Sequence, residues 1–114
     1  MENKFWQHLE TLIAEATIKI DRPKGSTHPR YSDIIDPLDY GYLAGTSSGD
    51  GAGVDVWLGT LPAQSLTGVI CCVDLSKRDV ELKLLLGCAE DEMTMLLAFH
   101  NEESQAAHLV RRAA

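Results

Sequence analysis

The chain predicts a mainly β, α+β domain: a small OB-like barrel of about five strands, with an N-terminal and a C-terminal helix. Three observations carry that expectation. Apolar runs of strand length between residues 54 and 86 are separated by polar or Gly/Pro-rich turns. Residues 80–86 alternate apolar and polar side chains. Helical periodicity is confined to the two flanks of these runs. A two-layer sheet with helices on one face is the alternative architecture.

The elements follow in order. Phe5, Leu9, Leu12 and Ala16 recur at helical spacing, with Trp6 and Ile13 widening the stripe, so a helix is expected from about Asn3 to Glu15 with Asn3 as N-cap. Thr17–Asp21 alternates as a strand and is stopped by Pro23. From Pro23 to Thr46 the chain is rich in Pro, Gly, Asp and Tyr with weak periodicity, and irregular backbone with short extended pieces is expected. Val54–Leu61 reads as a strand. Leu66–Leu75 is apolar on both faces and therefore reads as a strand that is central or inside a barrel. Ser76-Lys77-Arg78-Asp79 reads as a hairpin turn. Val80–Leu86 then places Glu81 and Lys83 on one face. Glu90–Asn101 reads as a helix whose positive end carries Glu90, Asp91 and Glu92. Ala107–Arg112 reads as a closing strand.

At 114 residues the chain is expected to form one domain spanning 1–114. No apolar run reaches the roughly 20 residues of a membrane span, and no basic-then-apolar signal opens the chain, so a cytoplasmic protein is expected. A net charge of −7 disfavours nucleic acid as a partner. Within that acidic chain Arg22, Lys24 and Arg30 fall together, which points to a small anion. Three cysteines without metal spacing read as reduced core residues. Phe5 with Trp6 offers a sticky face for a homo-oligomer.

The most informative stretch is the glycine-rich loop entering the 54–61 strand, which sets Asp50 and Asp55 close together. Carboxylates beside a core are costly unless a cation neutralises them, and oxygen ligands suit a hard metal. A solvated Asx turn is the plainer account of the loop. Asp21 and Glu81 are further candidate ligands, although a strand end and a solvated sheet face would explain them equally. Lys24 and Arg30 suit phosphate oxygens as point charge and planar fork. Tyr40, beside Gly41, could donate to the same anion. His100, ending the second helix, could cap carbonyls or point into a site.

Taken in order, these pieces resemble the soluble (family I) inorganic pyrophosphatases. Asp21-Arg22-Pro23-Lys24-Gly25-Ser26 is similar to that family's Glu-Ile-Pro-Lys-Gly-Ser, and Arg30-Tyr31 to its Lys-Tyr-Glu. Pro37-Leu38-Asp39-Tyr40-Gly41-Tyr42 resembles Pro-x-Asn-Tyr-Gly-Tyr/Phe. Asp50-Gly51-Ala52-Gly53-Val54-Asp55-Val56 falls on Asp-Gly-Asp-Pro-x-Asp-Val, and Glu81-Leu82-Lys83-Leu84 on Asp-x-Lys-Leu. The resemblance implies hydrolysis of pyrophosphate, or a related phosphoanhydride, by metal-activated water with Mg2+. It implies metal ligation by Asp50, Asp55, Glu81 and Asp21. Catalytic roles would fall to Asp50, Asp55, Tyr40 and Lys83, and substrate binding to Lys24, Arg30, Tyr40, Lys83 and His100.

The departures are specific. Ala52 replaces the aspartate that positions or deprotonates the attacking water in the family, Gly53 replaces its proline, and Ser32 a glutamate. The family's hairpin carrying a phosphate-binding arginine is absent between Tyr31 and Pro37. Ser76-Lys77-Arg78 replaces a pair of acids, and His100-Asn101 stands where a Tyr-Lys pair binds phosphate. Two alternatives therefore accompany the hydrolase: a weakened protein that binds metal and a phosphorylated ligand, and an enzyme of another reaction class using His28, Asp39 or His100.

Overall fold

The computed structural model describes residues 2–28, 31 and 33–113. Helix α1 (Lys4–Glu15) starts where the Asn3 side chain accepts the Phe5 N–H at 2.8 Å. It is followed by β1 (Thr17–Arg22), β2 (Asp39–Ala44), β3 (Val54–Leu58), β4 (Leu66–Asp74), β5 (Asp79–Leu86), α2 (Glu90–Phe99) and β6 (Gln105–Arg111). The strands form one sheet in the order β1-β2-β3-β5-β4-β6. All neighbours are antiparallel except β3 and β5, which run parallel. The chain leaves β3, runs up β4 and returns on β5 inside it, so β5 lies between β3 and β4. Strand β4, apolar on both faces, is central as expected. The fold is mainly β with two helices, and its strands number six rather than about five.

The additional strand is β2, in the stretch expected to be irregular. Its alternation is disguised by tyrosines on one side and Gly41 on the other. A Cβ at Gly41 would overlap the Lys19 carbonyl, so glycine there permits β1 and β2 to approach.

Strands β2, β3, β4 and β5 each serve two packed layers. On one face, Leu43, Val56, Val69, Leu84 and Leu86 are buried under Trp6, Leu9, Leu12 and Ile13 of α1. On the other, Trp57, Ile70, Cys72 and Leu85 pack with Met93 and Leu96 of α2. Helix α2 is capped by its own Glu92, whose carboxylate accepts the Ala89 N–H at 2.9 Å and the Thr60 hydroxyl at 2.9 Å. All three cysteines are free; Cys72 and Cys88 are buried and Cys71 is half-buried. Burial pushes the Cys88 thiol up to about 12, so it stays protonated. Trp6 packs inward, leaving Phe5 as the exposed aromatic of α1. Among the described residues no helix is long and apolar enough to cross a membrane.

Candidate active site

The same alternation that builds the two cores places polar side chains on the α2 face. Asp55 stands opposite Tyr42 on β2 and opposite Lys83 on β5. Glu81, two residues before Lys83, shares its side of the strand. The Lys83 ammonium is the hub. It donates to the Tyr40 phenol at 2.7 Å, to Glu81 Oε2 at 2.9 Å and to Asp55 Oδ2 at 3.1 Å. An ammonium has three N–H donors, so Lys83 has none left over.

Burial alone would lower the Lys83 pKa; Tyr40, Asp55 and Glu81 outweigh it, and the group is held above the usual lysine range. Burial likewise raises the Tyr40 phenol, with Lys83 opposing and Asp55 reinforcing, so the phenol is protonated at neutral pH. The two partly exposed carboxylates are thereby held in fixed positions by one enclosed cation.

The remaining acids approach from β1 and the 46–53 loop. The β1–β2 register slips between Ile20 and Arg22, a bulge that brings Asp21 and Arg22 toward the same side. Asp21, Tyr42, Ala52, Gly53 and Asp55 line a shallow cavity of about 200 Å³. Asp50 folds back as an Asx turn, accepting from the Ser48 hydroxyl and from the Ala52 N–H at 2.9 Å. Gly51, at φ 85°, occupies the left-handed position this turn requires. The Ser48 hydroxyl and then the Ala52 N–H hold the Asp50 carboxyl below the usual range.

Among the described residues, no three His, Cys, Asp or Glu side chains are arranged to hold a metal ion. The donors nevertheless suit Mg2+, which takes one or two carboxylates and completes its shell with water and substrate phosphate. Asp21 and Asp55 share the cavity, and Lys83 engages only one oxygen each of Asp55 and Glu81.

The other expected site residues are dispersed. Lys24 is exposed on the loop after β1; its backbone N–H donates to Asp39 Oδ1 at 2.7 Å, and its charge is felt at Glu92. Arg30 lies outside the described residues. The His28 ring packs on Tyr31, with its Nδ1 accepting the Tyr31 N–H at 3.3 Å.

His100 corrects the expectation of a substrate ligand: it is 5% exposed and belongs to the core. Its Nε2 accepts the Trp57 indole N–H at 3.0 Å, which assigns the proton to Nδ1, 3.2 Å from Gln105 Oε1. Burial lowers its pKa to about 4, so it is neutral at pH 7. The ring supports Trp57, whose indole packs at a tilt against Tyr40 with the ring centroids 4.6 Å apart.

Arg22, foreseen only as part of the basic cluster that points to a small anion, and Asp36, not foreseen, meet beside Tyr40. The Arg22 guanidinium sits 4.5 Å from the Tyr40 ring centroid, and its Nε faces Asp36 Oδ1 at 3.4 Å. The sequence signal for Arg22 is its place in the basic cluster with Lys24 and Arg30, which an exposed loop kept soluble by its charges would equally explain; Asp36 has none.

No family model matches the sequence, and no curated protein matches it. Solved structures do. The chain is similar to an inorganic phosphatase from Anaplasma phagocytophilum, with 15% identity and a TM-score of 0.56 over 82% of this chain and 81% of that one. It is also similar to an inorganic pyrophosphatase from Coxiella burnetii, with 16% identity and a TM-score of 0.53 over 84% and 82% of the two chains. The fold is therefore pyrophosphatase-like.

Proposed function

We propose that this chain is a Mg2+-dependent hydrolase of inorganic pyrophosphate, or of a related phosphoanhydride, acting on a small phosphorylated substrate in the cytoplasm. The observation that supports it most is the Lys83 hub, which gathers Asp55, Glu81 and Tyr40 from three strands of a pyrophosphatase-like sheet.

Asp55 and Asp21, which share the cavity, are the carboxylates that would hold the metal, with Glu81 and Asp50 as further candidate ligands. When bound, Mg2+ supplies positive charge at phosphate oxygens and lowers the pKa of water. Lys83 keeps the two strand carboxylates in register and, being charged and enclosed, stabilises negative charge growing on the departing phosphate. Tyr40 fixes Lys83, and Trp57 with Tyr40 screens that side from solvent. With Ala52 at the cavity, Asp55 and Asp21 are the carboxylates placed to accept the proton of the attacking water.

Incubation with pyrophosphate and Mg2+ tests this. Slow phosphate release is expected that stops on chelation and is lost in Asp55→Asn. No release at micromolar protein, or an Asp55→Asn variant equal to wild type, contradicts it.

A second reading is favoured by one observation: Ala52, rather than an acid, lines the cavity beside Asp55. In that reading the protein binds metal and a phosphorylated ligand without turnover. Ala52→Asp then creates release where wild type has none; on the hydrolase reading it increases an existing rate. Self-association would rest on the exposed Phe5, since Trp6 is packed inward, and sedimentation velocity reads it.

A further inference from the structure

Arg22 and Asp36 form a buried ion pair beside the site that none of the roles above uses. The Asp36 side chain is fully enclosed, while that of Arg22 is 22% exposed. Two backbone bonds pin Asp36: its N–H donates to the Ser26 carbonyl at 2.9 Å and its carbonyl accepts the Gly25 N–H at 2.9 Å. Neither carboxylate oxygen has a hydrogen-bond donor. An enclosed carboxylate is costly unless a cation accompanies it, and its salt-bridge partner is Arg22.

Asp36 faces the Nε edge of the guanidinium and the Tyr40 ring lies under its plane. Arg22 is thus fixed on two sides. Its two Nη groups carry four of the five donors, and neither has an acceptor among the described residues. Lys83 contrasts with it. The ammonium lies 5.1 Å from the centroid of the same Tyr40 ring, yet every one of its donors is spent on Tyr40, Asp55 and Glu81. The site therefore holds one saturated cation and one with an open planar fork, both placed against a single tyrosine.

We propose that Arg22 is a substrate-binding residue whose two Nη groups grip a phosphoryl group, with Tyr40 as shelf and Asp36 as anchor. A guanidinium matches paired phosphate oxygens in two parallel hydrogen bonds, which an ammonium does not reproduce. The bulge after Ile20 places it there, since a regular continuation would turn either Asp21 or Arg22 away. This assignment rests on the diphosphate-hydrolase reading.

Calorimetry with methylenediphosphonate, a diphosphate that cannot be hydrolysed, in the presence of Mg2+ tests it. Arg22→Met/Asp36→Asn removes the pair without leaving a buried charge, and should bind about 10–100-fold more weakly than wild type. In the pyrophosphate assay its KM should rise while kcat stays within a few-fold. Arg22→Lys keeps the charge and loses the fork; it should still bind several-fold more weakly, and it decides the matter if the double variant does not fold. Wild-type affinity in either folded variant overturns the assignment of Arg22 while leaving the hydrolase reading intact. A wild-type protein that neither binds the diphosphonate nor hydrolyses pyrophosphate overturns that reading, and the role of Arg22 with it.

Discussion

The two faces of this sheet are built by the same strands with opposite outcomes. Along β3, Val54, Val56 and Leu58 face α1, while Asp55 and Trp57 face α2. Along β5, Leu82, Leu84 and Leu86 face α1, while Glu81, Lys83 and Leu85 face α2. The α1 face is filled mainly with aliphatic side chains, and the charged Arg112 at its rim is paired with Glu2 and Glu10. The α2 face encloses Lys83, His100 and Asp36 among aromatic residues, and each needs a partner. Period-two geometry alone thus separates a face that supplies stability from one that commits stability to chemistry.

The sharpest way to break that separation is to substitute neighbours on one strand. Asp55→Asn should lower phosphate release by about 10²-fold or more while the unfolding midpoint changes little. Val56→Ala, one residue on, should destabilise the fold by roughly 1–3 kcal/mol with turnover per folded molecule retained. Steady-state kinetics and urea denaturation of both variants check this; parallel losses would dissolve the distinction.

A comparably large effect belongs to Lys83→Met, which leaves Asp55 and Glu81 close together without their cation. Breaking an enclosed pair costs about 3–5 kcal/mol, and the partial exposure of both carboxylates places this site at or below the lower end. Urea denaturation should show this loss, which Leu84→Met on the α1 face should not share.

His100 gives an effect that also arises from burial and depends on pH. Its folded pKa of about 4 lies below its ordinary value of 6.5, so between those values the unfolded chain takes up a proton that the folded chain refuses. The stability tied to neutral His100 is complete above about pH 6.5 and is lost as pH falls toward 4, at most roughly 3 kcal/mol. His100→Gln should flatten this part of the stability profile measured by urea denaturation from pH 7.5 to 4.5. The smallest expected effect is that of Glu92→Ala. Loss of the α2 cap should cost about 1 kcal/mol and leave turnover unchanged.

The sequence was readable where one face of a strand or helix is uniformly apolar. The clean alternation of Val80–Leu86 announced β5 and put Glu81 beside Lys83, and the Asn3 cap with the Phe5, Leu9 and Leu12 stripe announced α1. Strand β2 escaped because its outward tyrosines pack on the α2 face, so both sides look amphipathic, while Gly41 suggests a turn. His100 escaped because a buried imidazole is a matter of tertiary partners, here the Trp57 indole and Gln105. Arg22 and Asp36 meet only because the Gly25–Ser26 backbone pairs with Asp36, a contact with no local signal. The register of Asp55 against Lys83 is likewise a property of a parallel ladder joining strands distant in the chain.

The central claim is that diphosphate and Mg2+ meet on the α2 face, at the end of the sheet where Asp55, Lys83 and Tyr40 converge. Backbone amide NMR during titration with Mg2+ and methylenediphosphonate tests it most directly. The expected result is saturable shifts at residues 50–57, 81–85 and 20–24, with the amides of α1 unmoved. Shifts centred on α1, or none at saturating ligand, would contradict it.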